Sequence, residues 1–271
     1  MTSVIAFIGG GNMAASLLGG LRAAQHPASH LRVAELDGAR RDWLQQTFGV
    51  PAFSQAADAV ADADAVVLAV KPQQMHQALQ GLTLREGCTV ISIAAGLSVS
   101  TLRRWLGDHA HIIRTMPNTP ALLGAGISGL FAPAGTPQAA RDVAHHVLSA
   151  AGQCVWVKTE AQIDAVTAVS GSGPAYFFLL TEAMREAGTA LGLDAETAAR
   201  LAKYTLIGAA RMADGDVDVA ELRARVTSKG GTTFAALQTF EDGGFHTLTG
   251  AALAAAAARA AELGQLLDKD S

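Results

Sequence analysis

Residues 4–8, V-I-A-F-I, form an unbroken apolar run that stops at G-G-G and resumes with a different spacing at Met13, Leu17, Leu18 and Leu21. A continuous run suits a strand buried on both faces, and the second spacing suits one face of a helix. Short β-rich runs recur at 31–35, 65–70, 89–93, 111–115, 126–131 and 154–157, with helical stretches between them. Pro72, Gly96, Pro117, Pro120 and Pro137 punctuate the series. Such alternation predicts an α/β fold with a parallel sheet wound by helices on both faces. After residue 160 the β signal ends, and Phe177, Leu180, Met184, Ala187 and Leu191 keep a helical rhythm. One helix is expected over 160–191, kinked near Gly171, Gly173 and Pro174, because proline clashes with the carbonyl one turn earlier. At 1.5 Å per residue it would reach about 45 Å, more than so small a domain can cover, which points to a partner subunit. The expected organisation is an N-terminal Rossmann-type doubly wound sheet over residues 1–158, followed by an all-helical domain over 159–271.

The glycine break has the chemistry of a dinucleotide site. Gly9 supplies a tight turn, Gly11 lets the backbone approach phosphates, and Ala14 takes the third small position of G-x-G-x-x-G/A. Free N–H groups at the new helix's start would face the anion. The run at 31–35 ends in Glu35, at the distance where an acid can bind a ribose 2′-hydroxyl, which favours NADH. Arg40 and Arg41 argue for NADPH, or are simply solvated. Three further segments fall where a Rossmann sheet places its ligand: Ala69, Val70, Lys71 and Pro72; the S-I-A-A-G turn containing Ala94; and R-T-M-P-N-T-P, with Met116, Pro117 and Asn118. Each has a plainer reading: a solvated lysine beside a helix-starting proline, a tight strand exit, a rigid loop that ends a strand.

In the helical half, V-T-S-K-G-G-T-T (226–233) places Gly230 and Gly231 ahead of Thr232 and Thr233. Several N–H groups at a helix N-terminus, with hydroxyls around them, would cradle a carboxylate; alternatively Ser228 or a threonine is only an N-cap. The formal charge of −4 gives no electrostatic footprint for nucleic acid or an anionic membrane. Cys88 and Cys154 read as small buried hydrophobes. The apolar run begins at once, without a basic segment or cleavage site, so a cytoplasmic location is expected. The Ala-rich tract at 250–267 reads as a closely packed helix, since Arg259 and Glu262 interrupt it. His109 with His111, and His145 with His146, lack a carboxylate or cysteine at metal spacing, and no metal is expected.

Taken in order, F-I-G-G-G-N-M-A, A-V-K-P, R-T-M-P-N-T-P, A-V-S-G-S-G-P-A-Y-F and V-T-S-K-G-G-T-T resemble the pyrroline-5-carboxylate reductase family across nearly the whole chain. The resemblance implies hydride transfer from NADPH or NADH to 1-pyrroline-5-carboxylate, giving proline, in a homodimer whose helical domain mediates dimerisation. Some members assemble dimers into decamers. By motif position, Thr233 resembles the hydroxyl that bonds the ring nitrogen. Ser228, Gly230, Gly231 and Thr232 would hold the substrate carboxylate. Met116, Pro117 and Asn118 would border the nicotinamide. Ile8, Gly9, Gly10, Gly11, Asn12 and Met13 would hold the rest of the cofactor with Ala69, Val70, Lys71 and Pro72. Lys229 stands where many members have proline, so the loop loses a preset φ and gains a positive charge beside the carboxylate.

Two other readings fit parts of the chain. A β-hydroxyacid dehydrogenase would need a positioned lysine or histidine as acid or base, and 171–180 contains none. A non-catalytic nucleotide sensor would have no use for a carboxylate cradle.

Overall fold

The computed structural model describes residues 3–107 and 111–269. In chain order the nucleotide-type half runs β1 (Ile5–Ile8), α1 (Asn12–Ala23), β2 (Leu31–Ala34), α2 (Gly38–Phe48), β3 (Ala52–Phe53), α3 (Ala56–Val60), β4 (Ala65–Leu68), α4 (Pro72–Leu79), β5 (Thr89–Ser92), α5 (Val99–Leu106), β6 (His111–Met116), β7 (Gly126–Phe131), α6 (Gln138–Ser149) and β8 (Gly152–Trp156). Helices follow: α7 (Gln162–Val166), a π-helical turn (Thr167–Gly171), α8 (Gly173–Ala190), α9 (Ala195–Ala213), α10 (Val219–Arg225), α11 (Thr232–Asp242) and α12 (Phe245–Lys269).

Among the described residues eight strands form one sheet, in the order β3-β2-β1-β4-β5-β6-β7-β8. All seven expected strands are present, with ends shifted by no more than two residues; the two-residue β3 falls outside that expectation. One pairing departs from the parallel expectation. β7 runs antiparallel to β6, with Thr115 opposite Leu130. The link at 117–125 is too short for the crossover that a parallel neighbour requires, so the chain turns back.

Strand alternation divides the apolar residues between two cores, one on each face of the sheet. Ile5, Phe7, Ala65, Val67, Ile91 and Ile113 join Leu17, Leu18 and Leu21 of α1 in one. Ala6, Ile8, Val66, Leu68, Val90 and Ile112 join Met75 of α4 and Leu102 of α5 in the other. Side chains two apart share a face, so each buried run serves two layers of helices.

The chain resolves into two compact units, residues 1–172 with 255–271, and residues 173–254, rather than dividing at 158. Local contacts hold 160–171 to the sheet. Arg114, 6% exposed in the middle of β6, pairs with Glu160 (3.4 Å) and Asp164 (3.2 Å). Val166 lies so close to Gly129 that a Cβ there would stand 2.6 Å from its methyl. The end of α12 packs on the turn after β5, where a Cβ on Gly264 would meet the Gly96 carbonyl at 3.0 Å. Within 173–254 only Gly173, Ala198 and Ala202 are buried. The expected helix over 160–191 is present in pieces, and its break falls at the π turn and Ser172, just before Pro174.

One buried imidazole makes stability depend on pH. His26 Nε2 faces the Ser3 carbonyl at 3.1 Å, an acceptor only, so this nitrogen carries the hydrogen. Nδ1 is then left to accept from His146 Nε2 at 3.3 Å. Burial, then the neighbouring His146, holds the His26 pKa below its ordinary value. The unfolded chain therefore takes up a proton below about pH 6.5 that the native site resists, and stability drains as pH falls through that range. Urea unfolding between pH 7.5 and 5 should show an acid-side loss of up to about 1.4 kcal/mol per pH unit from this group. His26→Gln should flatten that slope, and an unchanged slope would show that another group is responsible.

Candidate active site

The strand order reverses at β1, with β2 on one side and β4 on the other, so a crevice opens beyond their carboxyl ends. Gly9 turns there at φ +97°, with its N–H on the Ala34 carbonyl at 2.8 Å. A Cβ at Gly9 would lie 2.8 Å from Val70 Cγ1 and 2.9 Å from the Ala69 carbonyl carbon, which brings the two expected cofactor segments together. Gly10 is buried, and its N–H donates to Glu35 Oε2 at 2.9 Å. Gly11 is exposed, and a Cβ there would meet nothing within 4 Å. It caps α1 with extended backbone and no side-chain cap, so the first N–H groups of α1, with exposed Asn12 and half-buried Met13, open toward the crevice.

These features fit a dinucleotide. The cradle is tight at Gly9 and open at Gly11, which is the order a pyrophosphate requires. Lys71 is exposed at the N-cap of α4 and Pro72 takes the first helical position. Ala94 is buried, its N–H on Ser92 Oγ at 3.4 Å.

Glu35 does more than the sequence suggested. Its second oxygen, Oε1, accepts from the Asp37 N–H at 3.0 Å, so the carboxylate bridges the glycine turn and the turn before α2. Both arginines have backbone partners: Arg40 Nε donates to the Gly10 carbonyl at 2.7 Å, and Arg41 donates to the carbonyls of Glu35 and Leu36. Arg40 also lies 4.2 Å over the Trp43 ring, and its Nη2 is buried without a partner.

At the end of β6, Met116 is half-buried, and Pro117 and Asn118 are buried. The Asn118 amide is held at both ends: Nδ2 donates to the Ser170 carbonyl (3.2 Å) and Oδ1 accepts the Ile127 N–H (3.0 Å). Arg114, to which the sequence reading gave no role, ties the same segment down. Its signal was legible: an arginine inside H-I-I-R-T-M, with Glu160 and Asp164 four apart on one helical face.

The second cluster lies in the other compact unit. Gly230 has φ +71°, and the Gly231 N–H bonds the Ser228 carbonyl at 3.0 Å, forming a tight turn into α11. Gly231 is the N-cap, with no side-chain bond, so neither Ser228 nor a threonine caps this helix. The hydroxyls elsewhere on these helices mostly bond back to carbonyls four residues earlier, as in Thr181, Thr227, Thr239 and Thr249. Thr233, in the first turn of α11, has no such helical carbonyl behind it. Lys229 is exposed. Among the described residues no group of His, Cys, Asp and Glu could hold a metal ion; His109 lies outside them. Burial raises the Cys88 thiol to about 12 and the Cys154 thiol to about 11, so neither is a nucleophile at neutral pH.

This fold and crevice define a dinucleotide-dependent oxidoreductase of Rossmann type with an added helical unit. Residues 4–96 match the family described as NADP oxidoreductase, coenzyme F420-dependent, and residues 160–263 match pyrroline-5-carboxylate reductase dimerisation. The chain is 51% identical to the pyrroline-5-carboxylate reductase of Pseudomonas aeruginosa over 98% of both proteins. A solved pyrroline-5-carboxylate reductase from Coxiella burnetii superposes with a TM-score of 0.92 at 40% identity, covering 97% of this chain and 99% of that one. The Plasmodium falciparum enzyme, solved with NADP bound, gives 0.79 at 26% identity, covering 97% and 98%. The chain belongs to the pyrroline-5-carboxylate reductase family. It is an NAD(P)H-dependent reductase that converts 1-pyrroline-5-carboxylate to proline, and it forms a homo-oligomer.

Filling the cradle tests the crevice. Gly9→Val would place a branched side chain on the Val70 contact at positive φ, and NADPH affinity should fall at least about tenfold in a fluorescence titration. Unaltered affinity would mean that the dinucleotide binds elsewhere.

Proposed function

We propose that residues 8–13 and 69–72 hold the coenzyme pyrophosphate, that Ala94, Met116 and Pro117 border its nicotinamide, and that the turn at 228–233 holds the substrate. When bound, the reduced nicotinamide supplies the hydride that goes to C5 of the imine. The work left to this chain is orientation and charge accommodation, because a protonated cyclic imine is already a good electrophile. The Thr232 N–H, with the Ser228 hydroxyl, receives the substrate carboxylate at the N-terminus of α11, while the Gly231 N–H is spent on the Ser228 carbonyl that closes the turn. The Thr233 hydroxyl bonds the ring nitrogen. Gly230 supplies the positive φ that the turn needs. The observation that carries this reading is the uncapped start of α11: no side chain of the turn is spent on capping, and Ser228, Thr232 and Thr233 all stand within the turn or the first turn of the helix.

Kinetics on Thr233 variants test it. Thr233→Ala should lower kcat/KM for 1-pyrroline-5-carboxylate about a hundredfold, followed by loss of reduced-nicotinamide absorbance, and Thr233→Ser should recover most of it. Undiminished turnover in Thr233→Ala would remove the hydroxyl from the chemistry.

For the coenzyme, Glu35 sets a bias against the 2′-phosphate of NADPH and toward the 2′-hydroxyl of NADH, since Arg40 and Arg41 already bond carbonyls. The NADP-bound Plasmodium falciparum relative shows that the fold takes the phosphorylated coenzyme. In Glu35→Gln the ratio of kcat/KM for NADPH over NADH should rise about tenfold as the negative charge is lost, with the amide oxygen keeping one N–H partner. A falling ratio would show that Glu35 does not face the ribose.

The assembly is read as a homodimer built through residues 159–271, the unit that some family members join into decamers. The faces of α8 support the dimer: Phe177 and Leu179 are 61% and 66% exposed, and the unit has almost no core of its own. Residues 162–190 are long and apolar enough to cross a membrane. Their first turns bury Ile163 and Ala168, and Asp164 pairs with Arg114, which favours a second copy of the chain over lipid. A cytoplasmic location accords with two free thiols.

A further inference from the structure

Three side chains at the end of β6 reach the same short segment. Arg114 pairs with Glu160 and Asp164, Met116 lies against Gly171, and Asn118 donates to the Ser170 carbonyl. Arg114, Met116 and Asn118 are two apart along an extended stretch, so they share a face. A Cβ on Gly171 would stand 2.9 Å from the Met116 methyl, so the π turn and this methionine are in direct contact.

The last of these contacts answers a defect written into the sequence. In an α-helix the Ser170 carbonyl takes its hydrogen bond from the N–H four residues on, and residue 174 is proline, which has none. The helix loosens here to the π form, with the Ser172 N–H reaching back to the Thr167 carbonyl at 2.8 Å. Asn118 Nδ2 arrives at the carbonyl that Pro174 cannot serve, at 3.2 Å. Its Oδ1 accepts the Ile127 N–H from β7 at 3.0 Å, and the residue is 8% exposed. One amide therefore fastens the β6 exit to β7 and to the π turn.

We propose that Asn118 is a positioning residue: it substitutes for the N–H that Pro174 lacks, and through this bond it holds Met116 and Pro117 in register for hydride transfer. This differs from the direct nicotinamide contact expected from the motif, because the amide's donor and acceptor ends both serve the protein. It rests on the placement of the nicotinamide beside Met116 and Pro117. Misplacing that wall changes how the ring is aimed more than how the whole dinucleotide is held, since the pyrophosphate cradle is built from β1 and β4.

Asn118→Ala, Pro174→Ala and the double variant test it on the full-length oligomer. Asn118→Ala should lower kcat at least about tenfold, leave the Kd for NADPH within about twofold, and lower Tm by about 3 °C. In the double variant residue 174 regains an N–H, and most of the lost kcat and Tm should return. Asn118→Asp keeps the acceptor for Ile127 but not the donor, so it should reproduce the kcat loss even if Asn118→Ala fails to fold. A rise in the Kd for NADPH with kcat intact would make Asn118 a direct ligand and overturn the proposal. A double variant as impaired as Asn118→Ala would also overturn it, because the Ser170 bond would not be what Asn118 supplies. The ring placement has its own readout, the ¹³C-methyl resonance of Met116 in the wild-type enzyme on adding NADPH. If that signal stays still while Pro174→Ala still restores Tm, the bond exists but its link to hydride transfer is overturned.

Discussion

The structure depends on two backbones meeting closely at the end of β1. Gly9 lies so near Ala69 and Val70 that a Cβ has no room, and its φ of +97° would strain any side chain. This closeness lets β1 feed directly into α1 while β4 runs alongside it. The crevice opens where the strand order reverses, and the N-terminus of α1 opens toward it. Gly10 and Gly11 then divide the remaining work: one is buried and bonded to Glu35, the other is open. A bulkier turn would separate β1 from β4 and move the helix N-terminus away from the crevice.

Much of this was legible because strand burial leaves a local trace. A run such as I-A-F-I is apolar at every position only when both faces are covered, and here Ile5 and Phe7 enter one core while Ala6 and Ile8 enter the other. What was not legible depends on pairing between distant segments. Nothing within G-I-S-G-L-F shows that β7 runs antiparallel to β6; the shortness of the intervening link is the only cue. Two-residue β3 carries no periodicity at all. The candidate site shows the same division. The glycines announced their turns, whereas the partners of Asn118, Ser170 and Ile127, lie 52 and 9 residues away and left no local trace.

The helical unit inverts the economy of the sheet. Its apolar rhythm is as clear as any in the chain, yet α8 leaves Phe177, Phe178 and Leu179 largely exposed. Periodicity specifies that a face will be buried without specifying by what. In the sheet half the chain buries such faces against itself. Between 173 and 254 only small side chains, on Ala198 of α9 and Ala202 one turn later, are buried together with Gly173. That is too little apolar burial to offset the conformational entropy of a unit this size, so association belongs to the folding of this segment.

Glu35 shows how a single charge and the shape of two loops become coupled. A carboxylate that only faced a ribose could be exchanged freely to change selectivity. Here one oxygen accepts from Gly10 in the glycine turn and the other from Asp37 before α2, and Arg40 returns to the Gly10 carbonyl. Removing the side chain therefore removes a charge and also leaves the buried Gly10 N–H without its acceptor, at a cost of about 1–3 kcal/mol. The glycine turn would loosen at the same moment that the charge beside it was lost. Replacements that keep an acceptor oxygen at this position separate the two effects, and this favours an amide over a small side chain wherever selectivity is to change without loss of affinity.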